Sequence, residues 1–173
     1  MGSEMCIRDS SNIIINNKAV GDINENKTFY ETKKTTHSSF NKINNKSEWI
    51  KIRSKEYNTT IAGYTENERE VEVITLDEYC NENNLNNIDL LKIDTQGYEE
   101  EVLNGSKNLI KENKIKLIET EVMLDDVYQR NISIFDIEKN LQKTHRLIGI
   151  KKKKFNNIYE GYVFSLDLMY LKK

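Results

Sequence analysis

The clearest pattern begins at residue 71, where short apolar runs alternate with segments of helical spacing. Residues 71–74 (VEVI) predict a strand. Thr75 and Glu78 follow as the T-x-x-E of a capping box, so a short helix is expected to start at Leu76 and end near Asn83. Residues 88–93 (IDLLKI) are a mostly apolar run of strand length, the pattern of a strand covered on both faces. The run stops at Asp94. Tyr98, Val102, Leu109 and Ile110 then recur at helical spacing and predict a helix over 98–113. Gly105 interrupts it, at a cost of about 1 kcal/mol against alanine, so a break or a close packing contact is expected there. Residues 115–122 predict the next strand. Ser133 and Asp136 offer an N-terminal cap to a helix that carries Ile134, Ile137 and Leu141 on one side. Residues 146–150 and 162–171 predict two closing strands.

The first 70 residues are less regular. Residues 13–15 are three isoleucines ending at Asn16-Asn17, which predicts a buried strand and a turn. Residues 28–30 and 49–52 (WIKI) predict further short strands, and the polar segment 32–48 a long loop. The strand–helix alternation of the second half argues for an α/β sheet with parallel neighbours. The last two strands lack a helix-length connection and are expected to pair as an antiparallel hairpin.

Composition narrows the function classes. In 173 residues, 26 basic side chains face 28 acidic ones, and a net charge of -2 gives no electrostatic drive toward nucleic acid or an anionic membrane. The one basic block, residues 151–154, reads as a solvated loop between strands. Cys6 and Cys80 make neither a metal-ligand spacing nor a disulfide framework, which suits a reducing, cytoplasmic setting. No apolar run reaches the roughly 20 residues of a membrane span. His37 and His145 are far apart and lack partners at ligand spacing, which argues against zinc. Residues 1–11 differ in character from the rest of the chain and read as a non-native or disordered segment. The domain is expected over 12–173.

In an open α/β sheet, ligands bind at the carboxyl ends of strands. The most suggestive such end is LLKIDTQGYEEEVLNGS, residues 90–106. Asp94 leaves the strand toward that edge. Gly97 lets backbone or ligand approach closely. Glu99 falls in the first helical turn, where the helix dipole favours an anion. Each has a plainer reading: Asp94 as a cap, Gly97 as a turn, residues 99–101 as a solvated acidic face. Spacing alone leaves the two readings of Asp94 level.

The strings VEVITLDEYC, IDLLKIDTQGYEEEVLNGS and IKLIETEV resemble the core of the FkbM-type methyltransferases. The matching positions are Thr75-Leu76-Asp77, Lys92-Ile93-Asp94, Gln96-Gly97, Glu99, Val102-Leu103, Gly105-Ser106, and Glu119 or Glu121. More weakly, residues 12–22 resemble the family's third strand and turn, Ser38-Ser39 its serine motif, and residues 165–173 its final strand. The resemblance implies a partial Rossmann-like methyltransferase sheet, mostly parallel with an antiparallel C-terminal hairpin. It also implies methyl transfer from S-adenosylmethionine to a hydroxyl of a sugar or natural product, with a small-molecule or glycan acceptor. Asp94, then Glu119 or Glu121, are the implied catalytic candidates. Asn17, Ala19 and Val20 would line the adenine side, and Asp94, Thr95, Gln96 and Gly97 would complete the cofactor contacts.

Two departures accompany the resemblance. The family's opening strand and glycine-rich cofactor turn have no counterpart here, so the domain is expected to lack its first cofactor-binding unit, to leave an apolar edge beside the strand ending at Asp94, and to bind cofactor weakly or not at all. Gln96 stands where many relatives carry Glu, and an amide cannot act as a carboxylate base. The alternative expectation is a non-catalytic α/β module.

Overall fold

The computed structural model describes residues 13–154 and 163–173. The predicted N-terminal segment, with Cys6, and Tyr162 of the last predicted strand lie outside the described residues. Two sheets form. In the first, β1 (Ala19–Val20) runs parallel to the end of β3 (Thr65–Ile74), and β2 (Glu25–Thr32) pairs antiparallel along the length of β3. In the second, β4 (Ile88–Ile93), β5 (Ile115–Met123), β7 (Val163–Lys172) and β6 (His145–Lys154) lie in the order β4-β5-β7-β6. Only β4–β5 is parallel there; β5–β7 and β6–β7 are antiparallel. The expected C-terminal hairpin is present, but both sheets are mixed, which corrects the mostly parallel expectation. The reason is that β7 inserts between β5 and β6, so a hairpin strand occupies the sheet interior.

The helices follow their caps. Ser47 accepts a hydrogen bond from the Ile50 N–H (3.3 Å) and starts α1 (Glu48–Glu56). Residues 49–52 are therefore helical, not a strand: Trp49, Ile50, Arg53 and Ser54 are buried, the spacing of one helix face. Thr75 caps α2 (Leu76–Glu82) by accepting from the Glu78 N–H (3.2 Å). Ser133 and Asp136 make a reciprocal capping box for α5 (Ile134–Leu141).

The helix expected over 98–113 is two, α3 (Glu99–Asn104) and α4 (Lys107–Lys111), broken at Gly105. A Cβ on Gly105 would strike the backbone carbonyl oxygen of Gly21, so a chain crossing forbids a side chain there. Asp77 fastens the same junction. Its carboxylate accepts from the N–H groups of Asn108 (2.9 Å) and Leu109 (3.0 Å), and its own N–H donates to the Gly105 carbonyl (2.9 Å). Thr75 thus caps its own helix while Asp77, two residues on, caps another.

Other expectations fail for identifiable reasons. Residues 13–15 are exposed and form no strand. β4 lies at the edge of its sheet with Leu90 half exposed, so it is not covered on both faces; no described strand pairs with its other side. Residues 151–154 extend β6 instead of looping, with Lys151 opposite Asp167. No helix among the described residues is long and apolar enough to cross a membrane.

Two cores result. An aliphatic one packs α2, α3, α4 and α5 on the four-stranded sheet around Leu103, Ile118, Ile137, Leu141 and Leu168. A smaller, aromatic one gathers Ile43, Trp49, Ile50, Tyr64, Val127 and Tyr128 from a helix and loops.

Candidate functional site

The carboxyl end of β4 leads into a turn whose backbone is unusual. Gln96 has φ of 56° and Gly97 of 90°, both in the left-handed region. Glycine tolerates this without cost, whereas Gln there is uncommon and stored strain often marks a functional site. Several side chains hold the turn. Ser39 donates to the Gln96 carbonyl (2.8 Å), and the Asn41 amide donates to the Gly97 carbonyl. Glu99 accepts from the N–H groups of Thr95 (3.0 Å) and Gly97 (3.2 Å). Burial pushes the Glu99 carboxyl above its usual range, and those backbone donors pull it back only in part. The acidic run is therefore no solvated face: Glu99 and Glu101 are buried, and Arg130 pairs with both Glu100 and Glu101.

Two cavities meet at this turn. One, of about 330 Å³, lies between the two sheets and is lined by Ala19, Val20, Phe29, Leu91 and Ile93 together with Asp94, Thr95 and Gln96. The other, of about 370 Å³, is lined by Lys34, His37, Trp49, Glu121 and Phe164, again with Asp94 and Gln96. Asp94 and Gln96 are the residues common to both linings. A larger groove of about 790 Å³ runs beside α2 and α4 and shares no residue with either.

The predicted site residues divide accordingly. Ala19 and Val20 line the first cavity, whereas Asn17 is exposed and lines neither. Thr95 also lines the first cavity, and its hydroxyl is buried beside the Glu99 carboxylate. Gly97 lines neither; a Cβ there would press on Tyr128 at 3.0 Å, so the glycine serves the turn. Glu119 and Glu121 separate cleanly. Glu119 lines neither cavity and pairs with Lys92 (3.3 Å), which lines the first, while Glu121 is buried, accepts from Ser165 (2.8 Å) and lies 3.2 Å from the Gln96 amide nitrogen.

Sequence reasoning missed the far wall. His37 Nδ1 lies 2.7 Å from the Tyr64 hydroxyl, and its ring packs edge-on to Trp49. Burial, helped by nearby Lys34 and Arg53, lowers His37 from 6.5 to about 4, so the imidazole is neutral near pH 7. Tyr128 donates to the His37 carbonyl (3.0 Å). Burial, with the charges of Glu99, Glu121 and Asp94, raises the phenol well above its usual range and keeps it a neutral donor. No local periodicity marks these residues, because each comes from a different loop or short helix.

The first cavity suits an S-adenosylmethionine only in part. Its apolar walls fit a flat heterocycle, and Asp94 offers a polar contact, but 330 Å³ is near the lower bound of small-molecule sites. The neighbouring glycines do not form a cradle: a Cβ on Gly21 would meet Val73 Cγ1 at 2.6 Å, so Gly21 and Gly105 permit chain packing.

No curated protein and no solved structure matches the chain. The family model for the methyltransferase FkbM domain matches residues 6–151, which includes β1 through β5 and the whole Asp94 turn. The chain belongs to the FkbM-domain methyltransferase family.

Proposed function

We propose that this chain carries the acceptor side, and part of the cofactor side, of an S-adenosylmethionine-dependent O-methyltransferase acting on a hydroxyl of a sugar or natural product. The observation that carries this reading is the sharing of Asp94 and Gln96 by two cavities of different character. A cofactor bound there supplies an electrophilic methyl group on a sulfonium. The apolar cavity, with Ala19, Val20 and Thr95, would receive its adenosyl part, and the second, more polar cavity would receive the acceptor. Asp94 stands at the junction, where a carboxylate could take the hydroxyl proton as the oxygen–carbon bond forms and the carbon–sulfur bond breaks to release the thioether. Glu121 is the second candidate base. Positioning supplies most of the catalysis.

A non-catalytic α/β module is the second reading, and the lack of a glycine cradle among the described residues favours it. Titrating S-adenosylmethionine into the 173-residue chain, followed by backbone NMR shifts, separates the two. Weak binding is expected, with shifts confined to Ala19, Val20 and residues 94–96, and Asp94→Ala should abolish them. A dissociation constant tighter than about 100 μM, or roughly 5.5 kcal/mol, would mark a pocket complete without the glycine turn. No localised shift at millimolar cofactor would leave the non-catalytic reading, and shifts unchanged in Asp94→Ala would remove Asp94 from the site.

A further inference from the structure

The side chain of Gln96 is unusually placed. Its amide nitrogen donates to Asp94 Oδ1 (2.8 Å) and to Glu121 Oε2 (3.2 Å). The two N–H bonds of one amide thus reach two carboxylates, one at the end of β4 and one on the neighbouring β5. The other ends of this chain of contacts are also fixed. Ser165 donates to Glu121 Oε1 (2.8 Å), and the Tyr128 hydroxyl lies 3.4 Å from Gln96 Oε1. The backbone of Gln96 is held in the left-handed region by Ser39 on one side and the Asn41–Gly97 contact on the other. A turn alone would place glycine or asparagine at such a φ. A longer amide, held there against its preference, points to a use for its reach.

We propose that Gln96 is a positioning residue, a two-pronged clamp that joins Asp94 to Glu121 and fixes both carboxylates at the junction of the two cavities. The amide can do this because it is neutral and carries two donors. A glutamate at this position would set three carboxylates within hydrogen-bond reach and supply no donor while ionised. Its mutual repulsion would spread the cluster or force it to hold a proton. The clamp therefore assigns the base role to the flanking carboxylates and withholds it from position 96. This assignment rests on the methyl-transfer reading; the clamp itself does not.

The test uses the unliganded full chain. The two side-chain amide protons of Gln96 are followed by NMR exchange with water, with the exposed Gln142 as internal reference. Both Gln96 protons should exchange more slowly than those of Gln142. Asp94→Ala, which removes the acceptor, should release one and Glu121→Ala the other. Fast exchange of either proton in the unmodified chain, or release of neither by the two variants, overturns the clamp. Gln96→Asn provides the control for the backbone, since asparagine accepts the left-handed turn but is one methylene too short to span both carboxylates. In that variant the cofactor-induced shift at Asp94 should fall while those at Ala19 and Val20 persist, and equal retention of all three would overturn the positioning role. An unmodified chain that shows the slow amide but no cofactor shift overturns the methyl-transfer reading alone.

Discussion

The aliphatic and aromatic cores are built by opposite routes. The aliphatic core takes Ile118 and Val122 from β5, Leu166 and Leu168 from β7, and Ile137 and Leu141 from α5, each a repeat of a regular element. The aromatic core takes Ile43 and Tyr128 from loops joined by a lone bridge, Trp49 and Ile50 from the first turn of α1, and Tyr64 from a 3-10 turn. Its packing is edge-to-face, with Trp49 and Tyr57 both 5.8 Å from Tyr64 at interplanar angles of 82° and 83°. The first core supports the strand that ends at Asp94; the second walls the polar cavity. The site therefore lies where a regular scaffold meets an irregular cap, and the two halves need not share one stability.

The largest effect expected is at the crossing beside the aliphatic core. Gly105→Val would drive a side chain into the Gly21 carbonyl oxygen, which backbone cannot yield, and no cooperative unfolding transition should remain by circular dichroism. Gly149→Ala, whose Cβ would meet only Met169 Cβ at 3.6 Å, should leave the transition nearly unmoved. Equal behaviour of the two would break the claim that Gly105 is a steric requirement.

Next come the cores themselves. Leu141→Ala should cost about 2–5 kcal/mol and Trp49→Ala about 3–5 kcal/mol in denaturant unfolding. The chain has one tryptophan, so its fluorescence reports the aromatic core alone. In Leu141→Ala, fluorescence and far-ultraviolet dichroism should shift together if the cores unfold as one. Fluorescence that stays at the original midpoint would show the aromatic cap to be a separate cooperative unit.

The smallest effect is a pH slope. His37 sits at about 4 in the folded chain against 6.5 for the free side chain, because burial opposes its charged form. As pH falls, the unfolded chain takes the proton first, so the contribution is complete above 6.5 and is lost between 6.5 and 4. His37→Gln, which stays neutral, should unfold with a shallower loss of midpoint over that window. An identical slope in both proteins would mean that His37 is solvated.

The contrast also explains what could be read from the chain and what could not. β5, α2, α5 and the C-terminal hairpin were legible because period and cap coincide: T-x-x-E before Leu76, Ser133 with Asp136, a hairpin without a crossover. Residues 49–52 misled because Trp-Ile-Lys-Ile alternates like a strand while the Ser47 cap and the burial of Arg53 and Ser54 belong to a helix. Residues 13–15 misled because three isoleucines need a neighbour to cover them, and they are exposed. The plainer reading of the acidic run 99–101 failed because charge suggests solvent, yet the Thr95 and Gly97 N–H groups hold Glu99 and Arg130 pairs with Glu100 and Glu101.

By itself, the sequence determined the elements of the second half, the break at Gly105 and the family-like string around Asp94, since these depend on spacing within a few residues. Only the tertiary structure decided that β7 sits inside its sheet, that Glu121 and not Glu119 joins Asp94 through Gln96, and that His37, Trp49 and Val127 wall the second cavity. The physical reason is range: caps and periodicities are local, whereas the pairing of a carboxylate on β5 with an amide after β4 depends on which strands lie side by side.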